Sequence, residues 1–247
     1  MRTSILALTG PFLALAATPV AAQDTAPPPP LTISGSATLV SDYRFRGVSQ
    51  TNKRFAVQGG LTVAHDSGLY ASVWGSSIDD YVAAGSDQEI DLIAGYRTTR
   101  GGTTFDVGVL YYYYPGSGGA KTDFVEPYAS VAHMIGPATA KLTVNYAPKA
   151  AALSIGGGKQ DNLYVAGDLS VGIPTTPLSL SAHFGRSFGP SYLTIGKGYS
   201  DWNVGVAYSW QALTFGVSYV DASKAAYAPG GRNVARAGVV GSVGVSF

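Results

Sequence analysis

From Leu31 onward, apolar and polar positions take turns. Leu31, Ile33, Gly35, Ala37 and Leu39, then Tyr43 and Phe45, fall on one face. Thr32, Ser34, Ser36, Thr38, Asp42, Arg44 and Arg46 fall on the other, with Val40 the exception. Successive side chains of a strand point to opposite sides, so this stretch predicts a strand with one apolar and one polar face. Comparable segments follow at about 53–65, 68–77, 88–98, 103–114, 123–134, 139–148, 161–173, 177–187, 200–209, 212–222 and 235–247, making twelve in all. Their apolar faces include Phe55, Val57, Leu61 and Val63, later Phe105, Val107, Val109 and Tyr111, and later still Trp202, Val204, Val206 and Tyr208. Gln58, Asp91, Asp106, Glu126, Lys141, Asp168, His183, Asn203 and Ser218 lie opposite. Most segments hold ten to twelve residues, close to the roughly 9–11 that a tilted strand needs to cross hydrocarbon.

The connections sort by length. "HDSG", "TRGG", "IGPA", "IPTTP" and "SWQA" are tight, built from turn residues. Between them lie "SSIDDYVAAGSDQ", "PGSGGAKT", "APKAAALSIGGGKQ", "SFGPSYLTIGKGYS" and "ASKAAYAPGGRNV", longer and Gly-rich. Short turns on one rim and long loops on the other are the asymmetry of an outer-membrane barrel. The connection near "GVSQTN" is the exception on the long side. Tyrosines and tryptophans near the segment ends fit aromatic girdles. In "YYYY" at 111–114, Tyr111 and Tyr113 are expected to face lipid, and Tyr112 and Tyr114 the mouth. The chain stops on Phe247, with Val245, Val243 and Val239 on the same face. That reads as a closing strand, because lipid offers no partners and the first strand must meet the last. The terminal pattern also resembles a signal read by barrel assembly machinery.

Composition narrows the choice. Charged residues are 13% of the chain, about half the usual share for a soluble domain. There is no cysteine, hence no disulfide staple. Residues 1–22 read as a secretory signal peptide and 23–30, with "QDTAPPPP", as a Pro-rich periplasmic tail. Removing the leader leaves a neutral chain, which argues against a nucleic-acid partner. No later stretch is apolar enough for a transmembrane helix. The expected fold is all-β, a transmembrane antiparallel up-and-down barrel of twelve strands over 31–247, in the bacterial outer membrane.

"SGSATLVSDYRFRGVSQT", continuing to "FAVQGGLTVAHDSGLYASVWGSSID", resembles the N-terminal signature of the TorF family of porin-like outer-membrane proteins of proteobacteria. The matching features are Ser41 to Gly47, Gly68–Leu69–Tyr70 and Asp201–Trp202. The likeness is strong over 33–78 and looser but continuous to Phe247. It implies a barrel with a channel function. It brings no substrate and no catalytic residues.

Candidate chemistry lies on the inward face. Asp42, Arg44 and Arg46 are expected to enter the lumen, and Arg54 to face the same way. The three arginines would form a basic patch near the outer mouth, balanced by Asp42. Glu89, Asp91, Arg97, Asp106, Glu126, Lys141 and Asp168 complete the pore-lining candidates. On the lipid side, Arg or Lys at midplane would cost about 2–4 kcal/mol. Opposed charges give a transverse field that orients small polar solutes; alternatively they pair and fill the lumen. Twelve strands tilted about 40° give a backbone diameter of roughly 24 Å, leaving on the order of 10 Å between side chains. That does not choose between the two.

An outer-membrane enzyme is disfavoured. His65 and His133 abut short turns, and His183 shares its strand face only with Ser179 and Ser181. No catalytic residues, metal ligands or cofactor are expected. A soluble β-sandwich binding module is the remaining alternative. The expected partners are outer-membrane lipid, the assembly machinery and small polar solutes. Pattern alone does not separate aromatics facing lipid from those facing a second copy, so a homo-oligomer stays open.

Overall fold

A strand carries unpaired N–H and C=O groups along each edge, and an apolar surrounding offers them nothing. An all-strand chain with an apolar exterior therefore satisfies its backbone only by closing on itself. The computed structural model describes residues 30–247; the leader expected at 1–22, and all but the last residue of the tail at 23–30, lie outside them. In chain order, β1 (Leu31–Val40) is followed by two short strands, β2 (Arg44–Phe45) and β3 (Val48–Ser49). Then come β4 (Ala56–His65), β5 (Leu69–Ser77), β6 (Gln88–Arg100), β7 (Thr103–Tyr113), β8 (Phe124–Ile135) and β9 (Ala138–Ile155). The chain ends with β10 (Gly158–Gly172), β11 (Leu178–Phe188), β12 (Tyr199–Trp210), β13 (Leu213–Ala222) and β14 (Gly238–Ser246).

All strands except β2 and β3 form one closed antiparallel barrel of twelve, with β1 between β4 and β14. The closing seam runs from Ser36 opposite Ser246 to Val40 opposite Ser242. Phe247 extends it: its N–H donates to the Gly35 carbonyl at 3.0 Å, and the Gly35 N–H donates back at 2.9 Å. The expected fold class is the observed one. Apolar residues such as Ile33, Phe55, Val57 and Val107 face outward and are exposed, whereas Asp91, Asp106 and Glu126 face inward and are buried. Tyr112 and Tyr114 are buried too, and Tyr111 and Tyr113 are not.

Ten of the twelve segments lie within about three residues of their expected bounds; the first strand and β9 do not. The first strand, expected to run on through Phe45 and Arg46, stops at Val40. The chain there turns inward and makes the β2–β3 hairpin, with Phe45 paired to Val48. Arg46 (φ 47°) and Gly47 (φ 79°) both occupy the left-handed region, as a two-residue turn of type I′ requires. Alternation in "DYRFR" belongs to that hairpin, so Tyr43 is buried in the barrel instead of facing outward. Period two is the same in either setting, which is why it misplaced these residues.

The second difference is "APKAAALSIGGGKQ", expected as a loop. β9 and β10 instead continue to Ile155 and Gly158 and turn at Gly156–Gly157, with register shifts near Gln160. The Ala- and Leu-bearing stretch keeps pairing past the neighbouring strands. Elsewhere the short connections share one rim and the long segments 78–87, 114–123, 189–198 and 223–237 the other.

Candidate functional site

The segment between β1 and β4 crosses the lumen near the long-loop rim. Arg46, at the tip of its hairpin, donates from Nη2 to Glu126 Oε1 on β8 at 2.6 Å and from Nη1 to Asn162 Oδ1 on β10 at 2.8 Å. β8 and β10 flank β9, the strand six places from β1 around the ring. Arg46 thus reaches the far wall. Its backbone carbonyl accepts from the Tyr199 hydroxyl of β12 at 3.0 Å, and its guanidinium lies 4.1 Å from the Tyr164 ring centre. Glu126, 1% exposed, also accepts from the Tyr112 hydroxyl and the Asn145 amide, at 3.1 and 3.2 Å. Desolvation alone would drive such a pair apart; hydrogen bonds to all its oxygens are what such burial requires.

The rest of the segment is held as firmly. Arg44 Nε donates to Asp42 Oδ2 at 2.6 Å, and its Nη1 donates to the carbonyls of Gly47, Val234 and Arg236. The Ser49 hydroxyl donates to Asp42 Oδ1 at 2.5 Å. The Tyr43 hydroxyl donates to Glu89 Oε1 at 2.8 Å, and that of Tyr114 to Glu89 Oε2 at 3.1 Å. Gly47 is pressed against the barrel wall: a Cβ there would lie 2.9 Å from Asp201 Cβ and 3.1 Å from Ala222 Cβ. At the rim, burial pushes the Tyr81 hydroxyl up to about 12, so it remains a donor to the Ser49 carbonyl at neutral pH.

Towards the short-turn rim the contacts are different. On one side Arg97 donates through Nε and Nη2 to Asp106 Oδ2, at 2.9 and 2.6 Å. The Tyr70 hydroxyl donates to Asp106 Oδ1 at 2.8 Å and also meets the Tyr128 hydroxyl. Two strands on from β7, Lys141 of β9 stands directly across from Asp168 of β10 in the register. His183 Nδ1 lies 2.7 Å from Asp168 Oδ1, and its Nε2 lies 2.9 Å from the Tyr164 hydroxyl and 3.2 Å from Asp201 Oδ1. Both ring nitrogens are thus engaged, and among the described residues neither has a serine hydroxyl as partner. Beside them is a cavity of about 60 Å³ whose lining includes Ser170, Ser179, Ser181, Gly205 and Ser218.

The expected basic patch is not formed. Arg44 and Arg46 are buried in ion pairs with Asp42 and Glu126. Arg54 is exposed at the rim and pairs with Asp79. The reason is the inward hairpin: it carries Arg44 and Arg46 to carboxylates that no reading of β1 alone brings near. The other candidates, Glu89, Asp91, Arg97, Asp106, Glu126, Lys141 and Asp168, sit on inward-facing positions of β6 to β10. Asp201, Tyr164 and Asn162 were missed as members of the network. The register carried a signal for part of this: Asp168 faces His183, which faces Asn203, two positions from Asp201.

A closed antiparallel barrel, apolar outside and ion-paired within, has the build of an outer-membrane porin. Solved structures share it. The NanC porin superposes with a TM-score of 0.58 at 12% identity, over 87% of this chain and 99% of that one. The COG4313 outer membrane channel from Pseudomonas putida F1 does so with a TM-score of 0.50 at 11% identity, over 90% and 96%. At these identities the likeness is one of fold. The chain belongs to the Gcw_chp family of bacterial proteins of unknown function, whose model matches residues 24–247. No curated protein sequence matches it.

Proposed function

We propose that this protein is an outer-membrane channel for small polar or charged solutes, narrowed by the segment 41–55. The observation that carries this reading is the inversion of polarity, with apolar residues on the outer face of the barrel and paired charges inside. In this reading the short-turn rim faces the periplasm and the long-loop rim the exterior. The likeness of Ser41 to Gly47 to the TorF family supports the same function. Purified protein in planar bilayers gives discrete conductance steps. Their absence would remove the channel.

One observation favours a second reading, a closed structural barrel: Arg46 is bonded to β8 and β10 at once, spanning the lumen from the β1 side. In a closed barrel neither the wild type nor a variant lacking that pair conducts. A channel conducts more when the pair is removed. Assembly belongs to the same proposal. With Phe247 closing the seam through two backbone bonds, its deletion lowers the yield of assembled barrel and raises degradation before insertion. Unchanged yield would show that Phe247, with Val245 and Val243, is no assembly signal.

A further inference from the structure

The charges in the lumen do not balance. Arg44, Arg46 and Arg97 each have a carboxylate within 2.6 Å, Lys141 stands across from Asp168, and His183 lies between Asp168 and Asp201. Among the described residues, two inward carboxylates have no cation beside them, Glu89 and Asp91. They are two residues apart on one face of β6, so roughly 6–7 Å apart along the strand. Glu89 is 2% exposed and Asp91 7%. Glu89 at least accepts two tyrosine hydroxyls. Asp91 Oδ1 is buried and takes no hydrogen bond from any described residue. The charged groups acting on Asp91 are Glu89 and Glu126, both acidic.

Two carboxylates packed together out of bulk water cannot both stay ionised unless a positive charge, a shared proton or a bound cation, joins them, and the unpartnered Asp91 Oδ1 leaves room for the cation. Directly across the strand ladder from Asp91 stand Trp74 and Tyr112, aromatic groups of the kind that attract cations. We propose that a small monovalent cation binds in the lumen beside Asp91 and Glu89. No set of three or more His, Asp or Glu among the described residues is arranged to hold a metal ion, so the occupant is an exchangeable counter-ion held by two carboxylates and water. The occupancy stands apart from the channel reading. Its consequence rests on that reading: the lumen prefers cations, the reverse of what an arginine-rich mouth would give.

The test has two arms. In the first, the full chain in detergent is heated in KCl and in N-methylglucamine chloride of equal ionic strength, and the unfolding midpoint is read from gel mobility. KCl raises the wild-type midpoint by about 2–4 °C, and Asp91→Asn, which keeps the shape and removes the charge, abolishes the difference. Equal wild-type midpoints, or a difference that survives in Asp91→Asn, overturn the site. In the second, reversal potentials in a KCl gradient give K⁺ over Cl⁻ by roughly tenfold, falling toward parity in Glu89→Gln with Asp91→Asn. An anion-selective or unselective wild type overturns the selectivity. A silent bilayer beside a K⁺-dependent midpoint keeps the site and removes the channel.

Discussion

On the long-loop side of the lumen, side chains from β6, β8, β10 and β12 converge on a segment that comes from β1. On the other side, the wall from β10 to β13 presents Ser, Gly and Ala around a cavity. The same ring of strands therefore holds a crowded cluster of buried charge around the inserted segment and, on the β10 to β13 wall, a patch of small residues beside Asp168 and His183 with room for water. Closure alone demands neither. A barrel satisfies its backbone whatever points inward, so the inner face is free to differ from level to level. The crowded cluster uses that freedom to bind the inserted segment to both walls; the small residues leave space beside the β10 to β13 wall.

The largest effect separating the two regions is expected for Glu126→Ala, which leaves Arg46 buried without its carboxylate. The cost is about 3–5 kcal/mol, and the heat-modification midpoint drops by roughly 10 °C. Ser181→Ala beside the cavity moves it by about a degree or less. Similar drops for the two would erase the distinction. Removing both charges, by Arg46→Met with Glu126→Gln, retains bulk and changes stability by about 1 kcal/mol or less. In bilayers the same double variant conducts severalfold more than wild type, because the tie across the lumen is gone; unchanged conductance would place the constriction elsewhere.

Asp106→Ala is intermediate. Arg97, its partner, is about a fifth exposed, so water takes over part of the lost contact and roughly 1–2 kcal/mol is lost. Smallest is Arg54→Ala. That side chain is 69% exposed, and a pair in that setting contributes less than about 1 kcal/mol. A midpoint drop as large as that of Glu126→Ala would mean the rim pair anchors the inserted segment.

Much of this architecture was legible in the chain itself. Alternation located the twelve barrel strands, their inward and outward faces and the closing role of the last one, because lipid and water demand opposite surfaces of every spanning strand. Loop length sorted the rims for a similarly local reason. Alternation failed in "DYRFR", where a hairpin inside the lumen and a strand in its wall have the same period. It failed again in "APKAAALSIGGGKQ", where pairing between β9 and β10 outlasts the barrel. Which inward charge meets which is a question of distance around the ring. Arg46 and Glu126 lie 80 residues apart, and only curvature, register and the inward turn after Val40 bring them together. The polarity of each face was thus written locally in the sequence, and the pairing of charges across the lumen was decided by the closed tertiary structure, because closure alone makes opposite walls neighbours.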